Sequence, residues 1–194
     1  MRRPALLGKL EVTASKSALK IGEQPLCAGP RQSRVLEFTL EKEAQFVEFR
    51  VVTNGSGAVE EASLLAVLDV VDLLQFDLKH ADPDRHEALT GKRNERILSN
   101  AALAAAHAKQ VEFRVPIVPG LTDDAQSLER TAAFVRSLGA RALHFVPYQR
   151  TYLGKYARLG LEARCANVAP PTDEALVAHR ARVNRQGVDA VVVG

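Results

Sequence analysis

The stretch Asp72-Leu73-Leu74-Gln75-Phe76-Asp77-Leu78-Lys79-His80 is an apolar strand core that ends in an Asp-x-Lys pair. The turn Ala81-Asp82-Pro83-Asp84 follows it, then a polar helix, then a second strand from Val111 to Pro116 that carries Arg114. A strand, loop, helix and strand in this order are typical of parallel α/β proteins, whose strand ends converge on one mouth. Asp77, Lys79 and Arg114 are therefore the first candidates for a ligand site.

Strand and helix patterns alternate along the rest of the chain. Strands are expected at 47–52, 73–78, 111–118, 142–148 and 188–193, and helices at 59–70, 96–109, 124–138 and 171–186. The apolar residues of 35–46 also fit a helix, less regularly. This alternation predicts parallel strands joined by helical crossovers, in an open doubly wound sheet or in a full or partial barrel. Polar residues at successive strand ends favour the partial barrel, because they would all face one mouth.

Length and composition predict one domain with its own core. The 194 residues are 46% hydrophobic and 25% charged, as in an ordinary soluble protein. We expect residues 1–46 to be a degenerate or truncated N-terminal barrel portion, and residues 47–194 to be the C-terminal portion of the same domain. No apolar run reaches the roughly 18 residues of a membrane span, and residues 1–10 do not resemble a signal peptide, so we expect a cytoplasmic protein without a membrane partner.

The charge pattern gives little support for a nucleic-acid partner. The net charge is only +3, and basic residues alternate with acidic ones except at Arg2-Arg3 and around Arg180, Arg182 and Arg185. A solvated helix face explains that last group more simply than a nucleic-acid surface does.

Several linked motifs, in a fixed order, carry a family resemblance. They are VDLLQFDLKHADP at 71–83, HEALTG at 86–91, NERIL at 94–98, RVPIVPG at 114–120, VPY at 146–148 and KYARLG at 155–160. Over residues 47–187 the chain resembles the glycyl-radical-enzyme activating enzymes of the radical S-adenosylmethionine (SAM) superfamily. The resemblance implies a partial (β/α)6 barrel and an oxidoreductase activity. A [4Fe-4S] cluster would cleave SAM to a 5′-deoxyadenosyl radical, which abstracts hydrogen from a backbone glycine of a partner such as a pyruvate formate-lyase.

The same resemblance assigns roles at the strand ends. Asp77 and Lys79 would contribute to the SAM site and an associated cation site, and Arg114 would pair with a carboxylate or ribose of SAM. A guanidinium suits a carboxylate because its donors can grip both oxygens. The alternative is a simple Asp77–Lys79 ion pair at the barrel rim, with Arg114 bound to a neighbouring carbonyl. Thr53 and Asn54 match the family's Asp-Thr-Asn-Gly, although Val52 replaces the acidic residue and cannot coordinate a cation.

Two further positions match the family less well. Gly22 begins the counterpart of a Gly-Gly-Glu-Pro turn that meets the SAM amino group, but Glu23 and Gln24 occupy the second glycine and glutamate places. A surface turn without a ligand is an equally good interpretation. Gln149 stands where the family has a SAM-contacting histidine. We predict no catalytic side chain and no metal ligand in this sequence.

The cluster motif of the family is absent. A [4Fe-4S] cluster of this type needs three thiolates from C-x-x-x-C-x-x-C, whereas the sequence contains only Cys27 and Cys165, far apart. Two hypotheses remain open. The sequence is a fragment or mis-started product of a longer gene, or it is a degenerate relative, a non-catalytic pseudoenzyme acting at most as a binding module.

Overall fold

A computed structural model describes residues 37–43, 46–53, 61–69, 71–160, 162–163 and 165–193. Within these ranges six strands form one sheet in the order of the chain, from β1 to β6. The strands are β1 (Glu37–Glu43), β2 (Phe46–Thr53), β3 (Leu73–Asp77), β4 (Val111–Ile117), β5 (Ala142–Pro147) and β6 (Asp189–Val192). Strands β2 to β6 pair in parallel, and β1 pairs with β2 in the antiparallel sense.

Helices connect the parallel strands. They are α1 (Glu61–Leu68), α2 (Pro83–Thr90), α3 (Glu95–His107), α4 (Ala125–Ser137), α5 (Leu153–Arg158) and α6 (Asp173–Asn184), with a 3-10 turn at Arg150–Tyr152. This is the α/β architecture of a partial (β/α) barrel, as the sequence predicts. None of these helices, in the part of the chain that the structure describes, is long and apolar enough to cross a membrane.

The helix expected at 35–46 is wrong, because the structure places strand β1 there. Phe38 and Leu40 alternate with polar Glu37, Thr39 and Glu41, which is the period of a strand. The adjacent β2 provides an antiparallel ladder that runs from Glu37 opposite Val52 to Glu43 opposite Phe46. Backbone pairing across this short hairpin therefore overrides the weaker helical spacing.

The main core lies between the sheet and its helices. Every second residue of the central strands points into it, and Phe76, Phe113 and Phe145 are completely buried. The helices contribute mainly small and aliphatic side chains to this core, namely Leu64, Leu68, Ile97, Ala101, Ala104, Leu128, Ala132, Val135, Leu176 and Val183. Full burial of one large apolar side chain contributes about 1.5–3 kcal/mol. The alternate residues of the same strands point to the opposite face of the sheet.

Pro116 fits inside β4 despite its missing N–H. The Arg114 carbonyl accepts from the Leu78 N–H of the β3 side, so Pro116, two residues later, also directs its backbone toward that side. Strand β3 has ended by then, and no ladder hydrogen bond is lost. The Pro116 carbonyl instead accepts from the Thr122 hydroxyl, which anchors the loop after β4.

Candidate functional site

Three predicted site residues meet at the carboxyl end of β3. Asp77 is the last residue of β3 and lies directly opposite Arg114 in the β3–β4 register. Its Oδ1 is 3.3 Å from Arg114 Nε, and its Oδ2 accepts a hydrogen bond from Lys79 Nζ at 3.3 Å. The three side chains are 15–19% exposed. We call Asp77, Lys79 and Arg114 the rim. It holds two cations and one carboxylate, and therefore one excess positive charge.

The ion pair between Asp77 and Arg114 lacks a hydrogen bond. Asp77 Oδ1 and Arg114 Nε are both inaccessible to solvent, yet neither makes a hydrogen bond. Buried polar atoms without partners are rare in folded proteins and costly, so they often mark a place where a ligand completes the network. An anionic group fits this rim, because the excess charge attracts it and a guanidinium can bind a carboxylate through two donors.

A second polar layer lies below the rim on the same face of the sheet. Gln75 of β3 accepts a hydrogen bond from Arg114 Nη1 at 2.8 Å through Oε1, and its Nε2 donates to Glu112 Oε2 at 3.0 Å. Glu112 Oε2 in turn lies 3.7 Å from His144 Nδ1 of β5. Gln75 and Glu112 were not among the residues predicted from the sequence. Their signal is the period-2 spacing of polar residues, at 75 and 77 on β3 and at 112 and 114 on β4.

The loop after the rim is fixed to the start of α4. His80 Nε2 lies 2.8 Å from Asp124 Oδ2, and His80 Nδ1 accepts the Asp82 backbone N–H at 3.0 Å. Because Nδ1 accepts, the proton of the neutral ring is on Nε2 and is donated to Asp124. Asp124 also caps α4 through the Ser127 N–H at 2.8 Å, and Ser127 Oγ accepts the Ala81 N–H at 3.0 Å. These bonds hold the segment immediately following Lys79.

Two buried polar side chains lie on the α2–α3 side, and one of them, Asn94, supports the same loop. Asn94 donates its amide to the carbonyls of His80 and Ala81, at 2.9 and 3.1 Å. His86 Nδ1 lies 2.6 Å from the Lys92 carbonyl oxygen, to which it donates. Burial lowers the pKa of His86 below its ordinary value, so the neutral ring is favoured. No sequence pattern predicts these contacts, since their partners come from turns.

The remaining predicted residues are placed as follows. Thr53 is the last residue of β2 and pairs with Phe76, and Val52 pairs with Gln75. Asn54 and Gly22 lie outside the described residues. Gln149 follows β5 with an exposed side chain and takes no part in the ion pairs of the rim. The structure therefore brings Asp77, Lys79 and Arg114 together. Their roles as ligand residues stay predictions, as do those of Thr53, Asn54, Gly22 and Gln149.

The three tyrosines of the sequence form a packing cluster. The rings of Tyr148 and Tyr152 meet edge to face at 5.8 Å, as do those of Tyr152 and Tyr156 at 5.3 Å. The hydroxyls of Tyr148 and Tyr152 are 2.8 Å apart, and Tyr148 also donates to the Cys165 carbonyl at 2.8 Å. Burial and the bond to Tyr148 raise the pKa of Tyr152 above its ordinary value. These rings stabilise the connection between β5 and α6.

The residues present fit one implied cofactor and not the other. The rim has the donors and the charge to hold the carboxylate of SAM. Among the described residues, however, no group of three or more His, Cys, Asp or Glu side chains could hold a metal ion. The whole sequence contains two cysteines, one fewer than the three thiolates of a radical SAM cluster. A [4Fe-4S] cluster therefore does not fit the residues of this sequence alone.

Comparison with solved structures defines the class of the fold. A domain of pyruvate-formate lyase-activating enzyme from Bacteroides vulgatus superposes with a TM-score of 0.61 at 21% identity, over 76% of this chain and 82% of that one. A radical SAM methyltransferase from Sphaerobacter thermophilus superposes with a TM-score of 0.55 at 17% identity, over 74% of this chain and 39% of that one. The chain therefore shares the fold of these two proteins over about three quarters of its length.

Comparison with curated protein sequences finds similar activating enzymes. The pyruvate formate-lyase-activating enzyme of Staphylococcus epidermidis is 36% identical over 117 residues, which are 60% of this chain and 47% of that protein. The indoleacetate decarboxylase activating enzyme of Tractidigestivibacter scatoligenes is 29% identical over 126 residues, 64% of this chain and 40% of that protein. No family model matches the chain. In sequence the chain is thus similar to part of these activating enzymes, and its matches span less than half the length of these two proteins.

Proposed function

We propose that the described part of the chain is the SAM-binding side of a radical SAM domain, in which Lys79 and Arg114 bind the carboxylate of the methionine moiety. One observation carries the proposal. The rim is a mostly buried pair of cations around a single carboxylate, and the Arg114 Nε donor has no hydrogen bond. A ligand carboxylate would neutralise the excess charge and provide acceptors for the guanidinium.

Each rim residue has a defined task in this proposal. Arg114 grips the carboxylate, because its planar fork offers paired donors, and Lys79 adds a second positive charge from one side. Asp77 keeps the two cations together, since without it they would repel each other in a partly buried site. The turn between His80 and Asp82, held by Asp124 and Asn94, keeps Lys79 beside Asp77.

The proposed biological role follows from the relatives. We propose that the protein activates a glycyl-radical enzyme of the pyruvate formate-lyase kind in the cytoplasm, with SAM and a [4Fe-4S] cluster as cofactors. If bound together, these groups would supply radical chemistry. Since two cysteines do not complete a cluster, we derive no step through it. The alternative is a binding module that keeps the rim without radical chemistry.

Anaerobic reconstitution separates these functions. The purified protein is treated with iron, sulfide and reductant, its bound iron and sulfide are measured, and absorption spectra are recorded before and after SAM addition. Near one cluster per chain, with a spectrum that responds to SAM, supports the activating enzyme. Retention of SAM in equilibrium dialysis without iron supports the binding module. Absence of both contradicts the proposed function.

A further inference from the structure

We propose that Gln75 is a positioning residue for the rim. It holds the Arg114 guanidinium toward the ligand carboxylate without touching the ligand, and Glu112 in turn fixes the direction of the Gln75 amide. The inference rests on the proposed function of Arg114. It is carried by the chain of hydrogen bonds from Arg114 Nη1 to Gln75 Oε1 at 2.8 Å and from Gln75 Nε2 to Glu112 Oε2 at 3.0 Å.

The chemistry of the partners allows only one orientation of the Gln75 amide. A guanidinium donates and never accepts, so it must face the amide oxygen, and an ionised carboxylate only accepts, so it must face the amide nitrogen. A flipped amide would place NH2 against Arg114 and oxygen against Glu112, losing both bonds. Two charged neighbours on β4 thus select the orientation of one neutral side chain on β3.

This hydrogen bond is what orients the guanidinium within the described residues. Arg114 Nε lies 3.3 Å from Asp77 Oδ1, yet the two atoms do not form a hydrogen bond. The ion pair alone therefore leaves the plane of the guanidinium poorly defined. Arginine has about 2 kcal/mol of rotamer entropy to lose, and a bond formed before the ligand arrives removes part of that cost from binding.

The register explains why Gln75 can reach both partners. Gln75 lies opposite Glu112 and Asp77 lies opposite Arg114, so the four side chains form two rungs on one face of the β3–β4 pair. Arg114 reaches diagonally down to Gln75, within the range of diagonal cross-strand neighbours. His144, next to Arg114 in the β4–β5 register and 3.7 Å from Glu112, closes the far side of this layer.

The test compares the wild type with five variants and uses two ligands. Gln75→Met keeps the length of the side chain and removes both hydrogen bonds, Arg114→Met removes the ligand contact, and the third variant combines them. Gln126→Met, on the exposed surface of α4, is the matched control. Calorimetry measures the affinity of each protein for SAM and for S-methyl-5′-thioadenosine, which lacks the amino-carboxylate end. Circular dichroism confirms that each variant is folded.

We expect Gln75→Met to bind SAM about tenfold more weakly, in line with the loss of a hydrogen bond to a charged group. S-methyl-5′-thioadenosine binding should be unchanged, because that ligand has no carboxylate. The double variant should match Arg114→Met, since a residue that acts through Arg114 has no effect once Arg114 is gone. Glu112→Gln, which retains a side chain that can hydrogen-bond, should lose less affinity, about threefold, as the amide becomes free to flip.

Two results would overturn the inference. In the first, Gln75→Met binds SAM like the wild type. In the second, the double variant is weaker than Arg114→Met by the full factor lost in Gln75→Met, so that the two residues act independently. Failure of the wild type to bind SAM would overturn the proposed function instead. In that case the NMR signal of the Arg114 side chain still tests positioning: broadening in Gln75→Met but not in Gln126→Met supports it, and no change in either contradicts it.

Discussion

The two faces of the sheet differ in almost every physical respect. The helix-facing side is apolar and sealed, with Phe76, Phe113 and Phe145 at 0% exposure. The opposite side carries Asp77 and Arg114, which are partly exposed and joined by polar contacts. Adjacent residues on one strand alternate between these environments because successive side chains point to opposite faces. Along one strand, residues that stabilise the core therefore alternate with residues of the proposed ligand site.

This difference means that neighbouring substitutions should have different effects. Phe113 and Arg114 are consecutive in β4, yet one fills the core and the other faces the proposed ligand. Loss of the first should reduce the free energy of unfolding, and loss of the second should reduce ligand affinity. If one substitution reduced both the free energy of unfolding and the ligand affinity by large amounts, the two faces would not have separate roles.

The largest expected effect belongs to the core face. Phe113→Ala should lower the free energy of unfolding by about 3–5 kcal/mol, because it removes a completely buried ring and leaves a cavity. Urea denaturation measures this loss. Phe134→Ala, at the partly buried edge of the core, is the control and should lower the free energy of unfolding clearly less. An equal loss in the two variants would contradict the proposed packing.

The next effect belongs to the polar face. Arg114→Met should weaken SAM binding by about twentyfold, since it removes a charge-assisted contact, while the free energy of unfolding changes by less than about 1.5 kcal/mol. Calorimetry and urea denaturation measure the two quantities. Arg182→Met removes a guanidinium paired with Glu129 between α6 and α4, and serves as the control with unchanged affinity. A loss of stability as large as that of Phe113→Ala would remove the distinction between the faces.

A smaller effect is expected at the side of the rim. Lys79→Met should weaken SAM binding by about fivefold, less than Arg114→Met, because an ammonium contacts a carboxylate as a point charge and not as a fork. Lys109→Met, which breaks an exposed ion pair with Asp72, is the matched control. The ranking is tested by titrating both rim variants at one ionic strength. A greater loss for Lys79 would mean that the lysine is the main carboxylate ligand.

The last effect concerns pH and the buried ring of His86 in α2. Burial lowers the pKa of His86 in the folded protein below its ordinary 6.5, so the unfolded chain takes up the proton first. The stability due to neutral His86 is present above pH 6.5 and is lost as the pH falls below it, toward the lower folded pKa. His86→Gln should therefore flatten the decline of the free energy of unfolding between pH 7 and 5, by at most about 1.4 kcal/mol per pH unit. His107→Gln, at an exposed helix end, is the matched control variant.

Much of the fold and part of the site are visible in the sequence, for identifiable reasons. The strand pattern around Asp77 and Arg114 predicted both strands, and parallel pairing then brought the two side chains together. Gln75 was missed because its role depends on register with Glu112, and no single strand contains that information. The segment at 35–46 was misassigned as helix because its pairing with β2 is a tertiary effect. The bond from His80 to Asp124 spans 44 residues and has no local signature.

One calorimetric experiment tests the proposed function most directly. It compares the affinities of SAM and S-methyl-5′-thioadenosine for the wild type and for Arg114→Met. If the rim binds the methionine carboxylate, the wild type should prefer SAM by about tenfold or more, and Arg114→Met should lose most of that preference. Equal affinity of the wild type for the two ligands, or an undiminished preference in Arg114→Met, would show that the rim does not recognise the carboxylate.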